Sequence, residues 1–225
     1  MGTIPPISDE LRWGEPAFDI LRGIAVYTGS GLIAALAKTI SKFPAAHLDN
    51  AFNHNQVACK MWARDALFAT LGGHHDRITV LGAWYGILPA MLFEDSRFDI
   101  GEAVSVDIDP AVAAVAMTLN RKQAQQGRFR AVTADMYDFD YRNPPPGLVV
   151  NTSCEHIADL RGWLDRLAPG TPVLLQSNDY FAEPTHINCM ENLEQFAAVT
   201  KLSRTDFAGS LPLKKYTRFM LIGRS

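Results

Sequence analysis

The stretch Ile78-Thr79-Val80-Leu81-Gly82-Ala83-Trp84-Tyr85-Gly86 decides the reading of this chain. Four apolar or β-branched residues run without interruption into a glycine, and a second glycine follows four positions later. A short, unbroken apolar run bounded by a turn signal reads as a strand buried on both faces. Glycines at 82 and 86 let the backbone turn sharply and approach a ligand closely, and Ile87 to Phe93 continues as a helix. Strand, glycine turn and helix in that order are the opening unit of a doubly wound sheet.

The same alternation continues downstream. Ala103–Val106 reads as a second strand ending at Asp107, and Pro110 suits the first turn of a helix carrying Val112, Val115 and Leu119 and stopping at Gly127. Phe129–Thr133, Leu148–Val150 and Val173–Leu175 read as further strands, with a helix from Ile157 to Leu167 before Pro169-Gly170. Thr205–Ala208 and Arg218–Ile222 read as a closing antiparallel pair. Strands alternating with helices imply an α/β, doubly wound, mostly parallel sheet.

Upstream the pattern is helical. Ser30 is placed to cap a helix from Gly31 to about Phe43, ended by Pro44. A second helix runs from Asn55 to Leu71, with Val57, Met61, Phe68 and Leu71 on one face and Gly72-Gly73 as its stop. The first dozen residues, with Pro5 and Pro6, read as an arm, and His74-His75 as an exposed turn. The expected division is a helical extension over 1–76 and a cofactor-binding domain over 77–225.

Composition excludes several classes. The 225 residues are 48% hydrophobic and 20% charged, which is ordinary for a globular protein. The formal net charge of −3 offers no basic excess for phosphates, so neither nucleic acid nor an anionic membrane is expected as a partner. No signal peptide is read at the N-terminus, and the longest apolar run, Gly31 to Ala37, is far short of the roughly 20 residues of a membrane span. Cys59, Cys154 and Cys189 are odd in number and widely spaced, the pattern of reduced thiols in the cytoplasm.

In doubly wound sheets, ligands bind beyond the carboxyl ends of the strands. Asp107 lies 25 residues after Gly82, where a carboxylate accepts ribose hydroxyls; Asp109 suits the cap of the helix beginning at Pro110. After the third strand, Asp135 is placed to accept from an adenine amino group, with the backbone at Met136 beside it. The order Val-Leu-Gly-x-x-x-Gly, Val-Asp-Ile-Asp-Pro, Ala-Asp-Met and Leu-x-Pro-Gly resembles class I S-adenosylmethionine-dependent methyltransferases over about residues 77–225. The resemblance implies a seven-stranded sheet with its last strand antiparallel, and S-adenosylmethionine as cofactor. It implies a cofactor site of Gly82, Ala83, Trp84, Tyr85, Gly86, Asp107, Ile108, Asp135, Met136 and Asn151. Trp84 and Tyr85 depart from the small residues usual in the family's first loop, so they narrow the site or touch the second substrate.

Asn151-Thr152-Ser153-Cys154-Glu155-His156 follows the fourth strand, where the resemblance places the reactive sulfonium. Asn151, Glu155, His156 and Asp179 are the expected groups for orienting an acceptor and removing its proton. Glu155 reads equally as a first-turn acid of a helix capped by Ser153. Trp62, Tyr85, Ser153, Asn178, Tyr180 and His186 are expected around the acceptor. Cys154, His156, His186 and Cys189 form no recognisable metal spacing, and no metal is expected. Asn143-Pro144-Pro145-Pro146 looks like a catalytic Asn-Pro-Pro loop but precedes the fourth strand, so it reads as a proline turn. The cluster Asn50, Phe52, Asn53, His54, Asn55, Gln56, Lys60 and Trp62 reads as a lid that excludes water.

The sequence thus predicts a methyltransferase acting on a small polar molecule, as a monomer or homodimer. A second reading is attack at the cofactor's γ-carbon, giving aminocarboxypropyl transfer or ring closure with release of methylthioadenosine. A third is a non-catalytic cofactor-binding subunit.

Overall fold

A computed structural model describes residues 14–142, 145 and 147–225. The N-terminal arm and the tip of the proline turn, Asn143, Pro144 and Pro146, lie outside the described residues. Seven strands form one sheet: β1 (His74–Leu81), β2 (Asp99–Asp107), β3 (Phe129–Thr133), β4 (Leu148–Asn151), β5 (Pro172–Asn178), β6 (Arg204–Pro212) and β7 (Thr217–Arg224). Their order is β3-β2-β1-β4-β5-β7-β6. The first five strands are parallel, and β7 runs antiparallel to both β5 and β6. Order reverses between β1 and β4, which opens a crevice beyond their carboxyl ends.

The helices are α1 (Gly14–Thr28), α2 (Gly31–Lys42), α3 (Leu48–Ala51), α4 (His54–Leu71), α5 (Ile87–Glu94), α6 (Pro110–Leu119), α7 (Arg121–Gln125), α8 (Leu160–Leu164) and α9 (Leu193–Thr200). Ser30 caps α2 by accepting from Ile33 N, as its position predicts. Asn53 caps α4 by accepting from Gln56 N, and Gly72, at φ +77°, ends it. No described helix is long and apolar enough to cross a membrane.

Apolar side chains pack on both sides of the sheet. One cluster joins Ala63 and Leu67 of α4 to Ile78, Val80, Leu148 and Leu174. Another, under α8 and α9, centres on Trp163 and Phe196, both fully buried. A third joins Leu36, Leu48 and Ala51 to Tyr85, Ile87 and Met91, so α2 and α3 share a core with the glycine turn.

Several local readings are corrected. His74 and His75 are not a turn: they pair in register with Asp99 and Ile100 and begin β1. Their polar character reflects the solvent-facing start of a strand whose apolar half comes later. The helix expected over Ile157–Leu167 is a 3₁₀ turn at Cys154–His156 followed by the short α8. Ile157 is extended at ψ 112°, and Asp159 restarts the helix by accepting from Gly162 N. The helix expected to reach Gly127 breaks at Asn120, whose side chain is spent on Gly86 O and Ala116 O. The sequence reading places no helix at α1, α3 or α9; α9 has a sequence signal in Asn192, which caps it by accepting from Gln195 N.

Candidate active site

The carboxyl ends of the parallel strands open onto a cavity of about 1010 Å³. Ligand pockets commonly hold about 300–1000 Å³, so this one is large enough for two small ligands side by side. Gly82, Ala83, Trp84 and Tyr85 line it after β1, Asp107 and Ile108 after β2, and Asp135 and Met136 after β3.

Asp107 holds this half together. Its Oδ2 accepts from Trp84 N at 2.8 Å, and its Oδ1 from Asp109 N at 3.1 Å. Asp109 in turn caps α6 by accepting from Ala111 N. One carboxylate therefore ties the glycine turn to the end of β2, and its remaining lone pairs are left for a ligand. Gly86 adopts φ +68°, and a Cβ there would lie 2.8 Å from Asn120 Nδ2. Trp84 itself sits at φ +49°, a conformation that costs a non-glycine residue free energy and that the Asp107 contact and the Trp84–Tyr85 stack, 5.1 Å between centroids, help to hold. The loop after β3 is braced from the core: Trp163 Nε1 donates to Tyr141 Oη at 3.0 Å, and Tyr141 Oη donates to Met136 O at 2.8 Å. Burial pushes the Tyr141 hydroxyl up to about 12, so it stays a donor at neutral pH.

The other half of the cavity is polar. Glu155, 3% exposed, accepts on Oε1 from Arg218 Nη1 at 2.5 Å and from Asn178 Nδ2 at 2.8 Å. Its Oε2 is buried without a partner. Arg218 also donates to Thr152 O at 2.6 Å. His156 and His186 meet edge to face, 4.7 Å apart, and Tyr180 stacks on Tyr216. Asn50, Asn53, Asn55, Gln56 and Lys60 close the cavity from α3, α4 and the turn between them. Lys60 Nζ donates to Gln56 Oε1 at 2.6 Å, and burial, with Arg218 nearby, lowers its ammonium to about 8.

Of the expected site residues, Ser153, Glu155, His156, Asn178, Tyr180 and His186 also line the cavity. Gly86, Trp62, Asn151 and Asp179 do not. Trp62 packs edge to face on Phe207, because the helical register of α4 turns it toward β6. Asn151 Oδ1 accepts from Ser153 N while its Nδ2 is buried without a partner, and Asp179 Oδ1 accepts from Thr217 N. Ser153 makes no cap bond; Glu155 sits in the first turn of the 3₁₀ segment, and its carboxylate reaches Arg218. Lys60, expected only as part of the lid cluster, lines the cavity, and so do two cations without a site reading in the sequence, Lys215 and Arg218, the latter on the closing strand β7.

The fold is similar to that of solved structures. N-methyltransferase NodS from Bradyrhizobium japonicum WM9 superimposes with a TM-score of 0.58 at 13% identity, covering 78% of this chain and 98% of that one. The chain has the class I methyltransferase fold. Geranyl diphosphate C-methyltransferase from Streptomyces coelicolor A3(2) gives a TM-score of 0.55 at 13% identity, over 73% of this chain and 80% of that one. The [4+2]-cyclase SpnF gives 0.60 at 11%, over 76% and 82%. At such identities the likeness concerns the fold, and a cyclase beside methyltransferases shows that this fold carries more than one reaction. No protein-family model matches the sequence, and no curated protein matches it.

Proposed function

We propose that this protein binds S-adenosylmethionine in the cavity and transfers its methyl group to a small polar acceptor. The observation that carries the reading is Asp107: a carboxylate at the end of β2, bonded to the Trp84 amide, facing the same cavity as Asp135. The residues suit the cofactor, since two separate carboxylates serve its ribose and adenine and the glycine turn after β1, beside Asp107, offers backbone. In this reading Asp107 accepts the ribose hydroxyls, Asp135 the adenine amino group, and Gly82–Tyr85 flanks the methionine end, with Ile108 and Met136 packing on the adenine.

Bound S-adenosylmethionine supplies a methyl carbon already activated by its sulfonium. The chain's own residues then align the acceptor, exclude water and take a proton. Glu155, His156, Asn178, Tyr180 and His186 face the acceptor side. Lys60 is the proton acceptor: with its ammonium lowered to about 8, a useful fraction is neutral near physiological pH. Lys60 Nζ would take the proton that the acceptor gives up on methylation. Asn151 and Asp179 position the loops around the site through their backbone contacts.

The helices α1–α4 upstream of β1 serve as a lid, supported by Asn55, Gln56 and Lys60 on the cavity wall. Three free cysteines and the absence of a basic charge excess support a cytoplasmic enzyme of small-molecule metabolism.

The test is incubation of the purified protein with S-adenosylmethionine alone, followed by mass spectrometry. Bound and intact cofactor supports the reading and opens a screen for the acceptor. Methylthioadenosine in excess of enzyme overturns methyl transfer in favour of attack at the γ-carbon. Failure to bind the cofactor overturns both.

A further inference from the structure

Glu155, His156 and His186 come from two loops, after β4 and after β5, yet a carboxylate oxygen and one nitrogen of each ring all lie within 4.8 Å of one another. We propose that these three side chains bind a divalent first-row transition ion, such as Zn²⁺, Fe²⁺ or Co²⁺. Neither Cys154 nor Cys189 joins the group; the carboxylate of Glu155 takes their place beside the two histidines.

The surroundings prepare each ligand. His156 Nδ1 lies 2.9 Å from Thr185 O, and His186 Nδ1 lies 3.2 Å from Tyr180 O. A carbonyl accepts only, so each Nδ1 carries the hydrogen, and the lone pair of each neutral ring is on Nε2. Metal-binding histidines are oriented in this way, the second nitrogen donating to a carbonyl. The carboxylate is prepared likewise. Arg218 and Asn178 occupy Glu155 Oε1 and fix the group, while Oε2 stays buried and unpartnered. An unsatisfied buried carboxylate oxygen is costly, and a cation removes that cost.

Two imidazoles and one carboxylate select first-row transition ions over Mg²⁺ or Ca²⁺, which want oxygen donors. An ion about 2.1 Å from each donor draws the three to about 3.5 Å of one another. His156 is exposed, so rotation of its side chain supplies the movement. Because all three residues line the cavity, the remaining coordination positions face it. An acceptor offering oxygen ligands, such as a hydroxy acid or a vicinal diol, would fill them. That last step rests on the transfer reading; binding of the ion does not.

The experiment strips the full-length protein with a chelator and titrates it with Co²⁺, read by its visible d–d spectrum, and with Zn²⁺ by calorimetry. One ion per chain with micromolar or tighter affinity is expected. His156→Asn and His186→Asn should each weaken it at least tenfold. His74→Asn, on an exposed strand end, should leave it unchanged. Circular dichroism in chelator confirms that the variants fold. No uptake, or uptake indifferent to both cavity histidines, overturns the proposal. S-adenosylmethionine binding is measured on the same samples: cofactor bound without ion uptake overturns only the ion, and ion uptake without cofactor overturns only the transfer reading.

Discussion

Arg218 and Glu155 form an ion pair, Nη1 to Oε1 at 2.5 Å, with side chains only 6% and 4% exposed. The two residues lie 63 positions apart, one at the start of β7 and the other in the 3₁₀ turn after β4. The pair bridges the antiparallel closing strand to the loop that carries the acceptor side of the cavity. Glu155 keeps the Arg218 guanidinium above its ordinary range despite burial.

Breaking this pair from one side leaves an uncompensated buried charge. Arg218→Met should therefore cost about 3–5 kcal/mol of stability. Arg218→Met combined with Glu155→Gln should cost much less than the sum of the two single changes. A double-mutant cycle by urea denaturation measures the difference; strict additivity would show that the pair carries no coupling.

Asp107→Asn keeps the shape of the site but weakens the acceptor facing Trp84 N and the proposed ribose. Hydrogen bonds to a charged group are worth about 1.5–3 kcal/mol, so S-adenosylmethionine should bind roughly 10- to 100-fold more weakly. Calorimetry reads the dissociation constant. Unaltered affinity would remove Asp107 from the cofactor site.

Lys60 has its ammonium lowered to about 8 by burial and by Arg218. If it takes the acceptor's proton, the rate rises as pH approaches 8 and levels off above it. Lys60→Arg cannot lose its proton in this range and should abolish that limb while lowering the rate about 10²- to 10⁴-fold. The same shift acts on folding. The native side chain gives up its proton near 8 and the unfolded one near 10.5, so between these values the unfolded state binds more protons and stability rises with pH. Lys60→Met should flatten that rise, as followed by urea titrations across the range.

Gly86→Ala places a methyl group at φ +68°, with Asn120 Nδ2 at 2.8 Å. The conformation alone costs about 1–2 kcal/mol, and Asn120 must give up its bond to Gly86 O to make room. A lower midpoint in urea together with weaker cofactor binding is expected, because the same turn carries the Trp84 amide to Asp107.

Much of this protein was decided locally, and the sequence shows it. An unbroken apolar run such as Ile78–Leu81 reads as a strand buried on both faces, and the first two such runs end at Gly82 and Asp107, which the parallel topology carries to one edge. Caps were equally legible: Ser30 and Asp109 satisfy the free amides of the helices they precede, a task set within three residues. The acceptor side was only half legible. Glu155, His156 and His186 stand out by chemistry, but nothing local says that Glu155 would be claimed by Arg218, or that His156 and His186 would meet. Nor does the periodicity of α4 reveal that Lys60 faces a cavity while Trp62, two residues on, packs against β6. Local hydrogen bonding and side-chain period are properties of neighbours in the chain. Which buried charges find each other, and how far burial then shifts them, depends on contacts made across the whole fold, and only the tertiary structure decides those.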